Sequence, residues 1–259
     1  MRRLSLLMLA LVFVSCAHGN KKEVSYKAGS TEMKGYYVAP KSGSGLRPGV
    51  IVVHEWWGHN EYTRKRAEML ADMGYHAFAV DMYGDGKTAN HPKQAGEFSG
   101  MVMSNMPEAK KRFEAAMATL KSMPGVDSTK IAAIGYCFGG GIVLNMARMG
   151  EDLKAVASFH GSLATQTPAE KGHVKADIMV FTGKEDPMVG EKDVATFEKE
   201  MKKAKVKYEL FSYEGAKHGF TNPDATEVGK KFGLPLAYNE KADTDSWAKL
   251  NDFLLKSFK

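Results

Sequence analysis

A cysteine between glycines is the residue of this sequence best suited to chemistry. Cys137 lies in Gly135-Tyr136-Cys137-Phe138-Gly139, between a predicted strand over residues 130–134 and a predicted helix over 138–148. A strand, a glycine-flanked nucleophile and a helix form the sharp turn of the G-x-S-x-G pattern, here with Cys in place of Ser. The helix N-terminus directs backbone N–H groups at the sulfur, which favours its thiolate form. The alternative is a glycine-rich turn around a buried, inert cysteine.

Two further residues supply the partners that such a nucleophile needs. Asp186 follows a predicted strand over residues 178–182, and His218 follows another over residues 208–213. The carboxyl ends of parallel strands meet at one edge of a sheet, and the chain order nucleophile, acid, base is the one this pattern requires. We therefore expect a triad in which His218 is the base and Asp186 orients it. Taken singly, Asp186 could instead cap a turn, and His218 could be a surface histidine.

The segment His54-Glu55-Trp56-Trp57-Gly58 follows a predicted strand over residues 49–53. This position supplies one backbone N–H of an oxyanion hole, and the residue after the nucleophile supplies the other. The sequence thus predicts that the N–H groups of Trp56 and Phe138 bind the oxyanion, with His54 packed under the loop.

Other aromatic residues near strand ends are candidates for the wall of a substrate pocket, although side chains in these positions also commonly form core. The candidates are Trp57, Tyr83, Tyr136 and His160.

Strands and helices alternate along the chain, which predicts a mostly parallel, twisted sheet with helices on both faces, the α/β-hydrolase fold. No linker interrupts the pattern, so residues 20–259 are expected to form one catalytic domain. The predicted strands are 24–28, 33–38, 49–53, 77–80, 130–134, 155–159, 178–182 and 208–213, and the helices are 62–73, 108–123, 138–148, 193–204 and 243–255.

The charge of the chain is modestly basic, with 36 Lys and Arg against 30 Asp and Glu among 259 residues. The basic residues are scattered among acidic ones, which is typical of a solvated surface, so we expect no nucleic-acid partner.

Residues 1–19 have the pattern of a bacterial export signal. Arg2 and Arg3 precede an apolar run over residues 4–14 that is too short to span a bilayer. Cleavage before Cys16, in Phe13-Val14-Ser15-Cys16, would yield a lipoprotein anchored to the membrane through Cys16. Cleavage after Ala17 is the alternative. We favour the lipoprotein, and both predict an exported protein, periplasmic or anchored in the cell envelope.

Over residues 26–258 the sequence resembles the dienelactone hydrolase family. The resemblance is carried by the His54 to Gly58 segment, the Cys137 turn, the Asp186 turn and His218-Gly219-Phe220. It implies a Cys–His–Asp triad that works without metal or cofactor. It also implies that Glu55 activates the thiol by receiving or holding its proton, a role that a raised carboxyl pKa near the tryptophan pair would suit.

One feature of the family is missing. Dienelactone hydrolases that act on a carboxylated lactone hold its carboxylate with arginines, and neither the segment after Asp81 nor that after His218 contains Arg. Lys87 or Lys217 could substitute, but lysine lacks the bidentate fork of arginine. A neutral ester or lactone is therefore at least as good a substrate prediction.

The predicted function is hydrolysis of a carboxylic ester or lactone by Cys137. The alternatives are a thiol redox protein, which the lack of a C-x-x-C pair opposes, and a lipoprotein that binds a ligand without turnover. Acyl transfer to an acceptor other than water is a third.

Overall fold

The computed structural model describes residues 20–41 and 44–259. The predicted signal peptide and the lipidation site at Cys16 lie outside the described residues, so both stay predictions.

The described residues form one eight-stranded sheet in the order β1-β2-β4-β3-β5-β6-β7-β8. Strand β2 pairs in antiparallel fashion with β1 on one side and with β4 on the other, and every other neighbouring pair is parallel. The predicted mostly parallel sheet is confirmed. The strands are β1 Lys21–Ala28, β2 Thr31–Val38, β3 Arg47–Val53, β4 His76–Val80, β5 Val126–Tyr136, β6 Ala155–Phe159, β7 Asp177–Gly183 and β8 Tyr208–Tyr213.

Helices cover both faces of the sheet, as predicted. Strand β3 shows why, since Val50 and Val52 pack into one apolar core while Ile51 and Val53 pack into the other. Side chains alternate along a strand, so an unbroken apolar run requires cover on both sides. The helices are α1 Glu61–Asp72, α2 Pro92–Met103, α3 Met106–Lys121, α4 Phe138–Arg148, α5 Glu191–Ala204, α6 Ala225–Phe232 and α7 Glu240–Ser257.

Helices α2 and α6 were not predicted. Only Ala95 and Val102 of α2 are buried, and the helix carries two glycines. Only Ala225 and Gly229 of α6 are buried. Apolar periodicity reveals a helix only where it buries a wide stripe, and these two do not. No helix in the described ranges combines the length and the apolar character that crossing a membrane requires.

The turn from β5 into α4 is the sharpest feature of the fold near the predicted site. Cys137 has φ 52° and ψ −115°, a backbone conformation that is costly for a residue with a side chain. A Cβ atom on Gly135 would lie 2.1 Å from the carbonyl oxygen of Gly139, and one on Gly139 would lie 2.3 Å from that of Val53. Both glycines are therefore required for α4 to approach the sheet this closely.

We expect Gly139→Ala to lower the free energy of unfolding by about 3 kcal/mol, because the new methyl group would push α4 away from the backbone at the end of β3. Gly96→Ala is the matched control. A Cβ at exposed Gly96 in α2 meets nothing within 4 Å, so that change should raise the free energy of unfolding by about 0.5 to 1 kcal/mol. Urea unfolding of both variants provides the measurement. Equal changes in the free energy of unfolding for the two variants would contradict the conclusion that α4 approaches the sheet too closely at Gly139 to admit a side chain.

Candidate active site

Three side chains at the carboxyl edge of the sheet come together as predicted from their positions. Cys137 ends β5, Asp186 follows β7 and His218 follows β8. Nδ1 of His218 lies 2.8 Å from Oδ2 of Asp186, and both side chains are almost fully buried. Cys137 is partly exposed and lines the same two cavities as His218.

The protonation state of His218 follows from its surroundings. Burial alone would lower the His218 pKa, but the negative charge of the Cys137 sulfur and the hydrogen bond to Asp186 outweigh it and raise the pKa to about 10. Its Nε2 atom is buried without a hydrogen-bond partner among the described residues. The Nε2 atom is thus available to exchange a proton with Cys137 or with a bound substrate.

Two backbone N–H groups border the nucleophile. The N–H of Phe138 belongs to the first turn of α4, where helical partners are lacking. In the described part of the chain, neither this group nor the N–H of Trp56 donates to an acceptor. Trp56, Cys137 and Phe138 line one cavity. The two predicted oxyanion donors are therefore free and adjacent to the sulfur.

His54 fixes the orientation of the Trp56 N–H. The N–H of Met82 donates to Nε2 of His54 at 3.2 Å, so the ring proton is on Nδ1, which donates to the carbonyl oxygen of Glu55 at 2.6 Å. Gly58 N–H donates to the same carbonyl oxygen. Because C=O and N–H of a trans peptide point in opposite directions, these two bonds direct the Trp56 N–H away from His54. The sequence predicted His54 beneath the loop but not this role.

Glu55 is buried beside the triad. It is 4 % exposed, and it lines a cavity of about 20 Å³ together with Cys137 and His218. Burial raises the pKa of Glu55 to about 7, although the hydrogen bond from Asn222 and the positive charge of His218 oppose the shift. Nδ2 of Asn222 donates to Oε2 of Glu55 at 2.8 Å. The sequence analysis noted only that the segment after His218, to which Asn222 belongs, contains no arginine. It did not predict the contact between Asn222 and Glu55.

Two predicted pocket residues lie elsewhere. Tyr136 is fully buried and stacks on Phe159 in the core on the other face of the sheet. His160 is also fully buried, with φ 39°. Its Nδ1 accepts the N–H of Cys137 at 3.2 Å, and its Nε2 lies 2.8 Å from the Thr221 hydroxyl. Burial lowers the His160 pKa far below its ordinary value. His160 therefore joins the nucleophile turn to the His218 loop rather than lining the pocket.

The other two pocket candidates border the site without forming the main cavity wall. Tyr83 is 1 % exposed, and its hydroxyl donates to the Trp56 carbonyl oxygen at 2.9 Å. Tyr83 therefore stabilises the loop that carries Trp56. Trp57 lines the small cavity with Glu55 and packs on Phe232 of α6.

The cavity that opens at Cys137 has a volume of about 240 Å³. None of its lining residues is Lys, Arg, Asp or Glu, and neither Lys87 nor Lys217 is among them. A larger groove of about 890 Å³ lies between β8 and α7, away from Cys137. Sequence patterns missed most of the cavity wall, because all but one of the missed residues come from loops and from the unpredicted helix α2, and the exception, Gly141 of α4, has no side chain to mark it. The missed lining residues are Ser99, Met103, Gly141, Ser162, Met188 and Val189.

Within residues 20–41 and 44–259, no three His, Cys, Asp or Glu side chains are grouped so that they could hold a metal ion.

Comparisons with known proteins show which family the chain belongs to. The chain is 30% identical over 210 residues to protein usf of Aquifex pyrophilus, a match that covers 79% of this chain and 89% of that one. It superimposes with a TM-score of 0.86 on the dienelactone hydrolase-like promiscuous phosphotriesterase P91 from metagenomic libraries, at 32% identity over 92% of this chain and 98% of the other. The structure titled m3DLH gives the same TM-score and coverage at 31% identity. The sequence profile of the dienelactone hydrolase family matches residues 33–258. With the nucleophile turn and the Asp186–His218 pair on the sheet edge, this match shows that the chain belongs to the dienelactone hydrolase family.

Proposed function

We propose that this protein hydrolyses uncharged carboxylic esters or lactones, with Cys137 as the nucleophile. The observation that carries the proposal is the buried His218–Asp186 hydrogen bond beside Cys137, at the floor of a cavity without charged carboxylate or ammonium groups. Membership of a hydrolase family supports the reaction class. Apart from His218, whose charge is paired with Asp186 and Cys137, the lining has no cationic side chain. This supports a neutral substrate, because a substrate carboxylate would be desolvated there without a lysine or arginine partner.

The first half of the reaction acylates the enzyme. The sulfur of Cys137 attacks the carbonyl carbon, and the N–H groups of Trp56 and Phe138 stabilise the oxyanion that forms. Loss of one such donor typically costs about 3 kcal/mol of transition-state stabilisation. Nε2 of His218 then protonates the leaving alkoxide as the C–O bond breaks, which leaves a thioester on Cys137.

The second half releases the acid. His218, now neutral and oriented by Asp186, takes a proton from water, and the hydroxide attacks the thioester carbonyl. The thiolate of Cys137 departs and the carboxylic acid is freed. Because a thiolate is a good leaving group, the site suits esters better than amides.

Glu55 supplies proton storage for the thiol. As a carboxylate it accepts the Cys137 proton when the sulfur attacks, while His218 supplies its own proton to the leaving alkoxide. Glu55 returns the stored proton to the Cys137 thiolate once the acid is released. A pKa of about 7 lets Glu55 both take and return a proton near neutral pH. The cavity of about 20 Å³ that the three side chains share has room for about one water molecule to relay the proton.

Export and lipidation are a separate part of the proposal. The basic start, the apolar run and Cys16 support an exported lipoprotein of a bacterial cell envelope. The substrate would then be a small molecule outside the cytoplasm.

The nucleophile is tested by the hydrolysis of p-nitrophenyl acetate. We expect Cys137→Ala to lower kcat/KM at least ~1000-fold, because the covalent step is lost. Ser122→Ala, at the exposed end of α3, is the control and should retain the wild-type rate. Equal hydrolysis by wild type and Cys137→Ala would assign the activity to another site.

The role of Glu55 predicts a pH dependence. Below pH 7 the carboxyl group is protonated and cannot take the thiol proton, so wild-type kcat/KM should rise as pH increases through about 7. Glu55→Gln should remove this rise and keep the low-pH rate. Glu61→Gln, at an exposed glutamate of α1, is the matched control and should keep the rise. If kcat/KM of Glu55→Gln still rises through pH 7, a group other than Glu55 is responsible for the pH dependence.

Lipidation is tested by metabolic labelling with palmitate in a bacterial host. We expect label on the wild-type protein, which should fractionate with membranes, and none on Cys16→Ser. A mature protein that begins at His18 and carries no label would support ordinary signal cleavage instead.

A further inference from the structure

A second cavity continues the one that opens at Cys137. It has a volume of about 490 Å³, and the two cavities share Met103 and Ser162 in their walls. The combined cleft is larger than the reacting carbonyl group requires, so most of it is available to a remote part of the substrate.

Helix α4 forms one side of the whole cleft. Gly141 lines the first cavity and Asn145 lines the second. They follow Cys137 at successive four-residue spacings, so they lie on nearly the same helix face, and Asn145 is about 12 Å along the axis from Cys137. A side chain larger than that of Gly141 would narrow the passage between the cavities.

The two cavities differ in polarity. Met188 and Met103 are 46% and 36% exposed, and both line the first cavity, which gives it a flexible apolar rim. The second cavity has a polar wall from the loop after β6, which includes Ser162, Thr165 and Gln166. Among the described residues, the side chains of Ser162 and Gln166 have no hydrogen-bond partner, so they are free to bind a ligand.

Neither cavity has a lining residue with a charged Lys, Arg, Asp or Glu side chain. A carboxylate or ammonium group would lose hydration in the second cavity without gaining a counter-charge. Hydroxyl and amide groups, in contrast, match the hydroxyl and amide side chains of its wall.

The direction of the substrate follows from the mechanism. The leaving oxygen must lie beside Nε2 of His218, so the arm of the cleft that runs past Gly141 and Ser162 receives the acyl part. We infer that the preferred substrates are elongated, uncharged esters whose apolar acyl chain passes Gly141 and whose distal hydroxyl or amide group binds in the second cavity. This inference rests on the proposed hydrolysis at Cys137 and adds the substrate class.

Three p-nitrophenyl esters of equal chain length test the inference: the octanoate, the ω-hydroxyoctanoate and the octanedioate monoester. We expect kcat/KM to be highest for the ω-hydroxyoctanoate and at least ~10-fold lower for the octanedioate, whose distal carboxylate has no cationic partner. A kcat/KM for the octanedioate equal to or higher than that for the ω-hydroxyoctanoate would overturn the inference.

A cavity-filling variant locates the binding site of the distal group. Ala164 is exposed, lines only the second of the two cavities, and Ala164→Trp should fill part of it. We expect the ratio of kcat/KM for the ω-hydroxyoctanoate to that for the acetate to fall about 10-fold in this variant. Ala118→Trp, at an exposed position of α3 outside both cavities, should leave the ratio unchanged.

Two failures can be distinguished. If wild-type protein hydrolyses none of the esters, including the acetate, the proposed function fails and the substrate inference fails with it. If the acetate is hydrolysed but Ala164→Trp leaves the ratio as in wild type, only the elongated-substrate inference is overturned.

Discussion

The close approach of helix α4 to the sheet determines the geometry of everything around Cys137. Gly139 lies so near Val53 that a methyl group added at Gly139 would collide with the backbone carbonyl group of Val53. This contact joins the end of β3, which continues into the loop that carries Trp56, to the start of α4, which Cys137 precedes. In the proposed mechanism these two segments supply the oxyanion donors and the nucleophile. The N–H of Gly139 donates to the His54 carbonyl oxygen and locks the same junction. Cys137 has a positive φ at this junction, a conformation that persists only where the surrounding structure enforces it.

Burial of ionisable groups then sets their protonation. His218 keeps its proton because negative charge from Cys137 and the hydrogen bond to Asp186 outweigh desolvation. His160, which is equally buried but has no anionic partner, has a lowered pKa and is a neutral acceptor for the Cys137 N–H. Glu55, with only the Asn222 amide as a direct partner, has a raised pKa. The pKa values of these three buried groups thus shift in different ways, because the nearest charged and hydrogen-bonding neighbours of each group differ.

The sequence predicted the central sheet and the sheet edge at which Cys137, Asp186 and His218 lie, but not the shape of the pocket. Central strands are recognisable because burial on both faces demands unbroken apolar runs, and Cys137 and Asp186 each follow such a run. His218 follows the edge strand β8, in which polar residues interrupt the aromatic and apolar ones. The Tyr136 error has a simple cause. Tyr136 shares the alternation of Ile134, whose side chain packs into the core opposite the cavity, so it packs into that core as well. The part of the cavity wall that was missed came mainly from loops and from α2, where burial is too sparse to leave a pattern.

Formation of a thioester on Cys137 is the step on which the mechanism depends. We would treat the protein with p-nitrophenyl trimethylacetate, whose crowded acyl group slows hydrolysis of an acyl-enzyme, quench with acid and determine the masses of the proteolytic peptides. We expect one trimethylacetyl group on the peptide that contains Cys137, formed together with the release of nitrophenolate. Release of nitrophenolate with Cys137 unmodified, or with the acyl group on another residue, would contradict nucleophilic catalysis by Cys137.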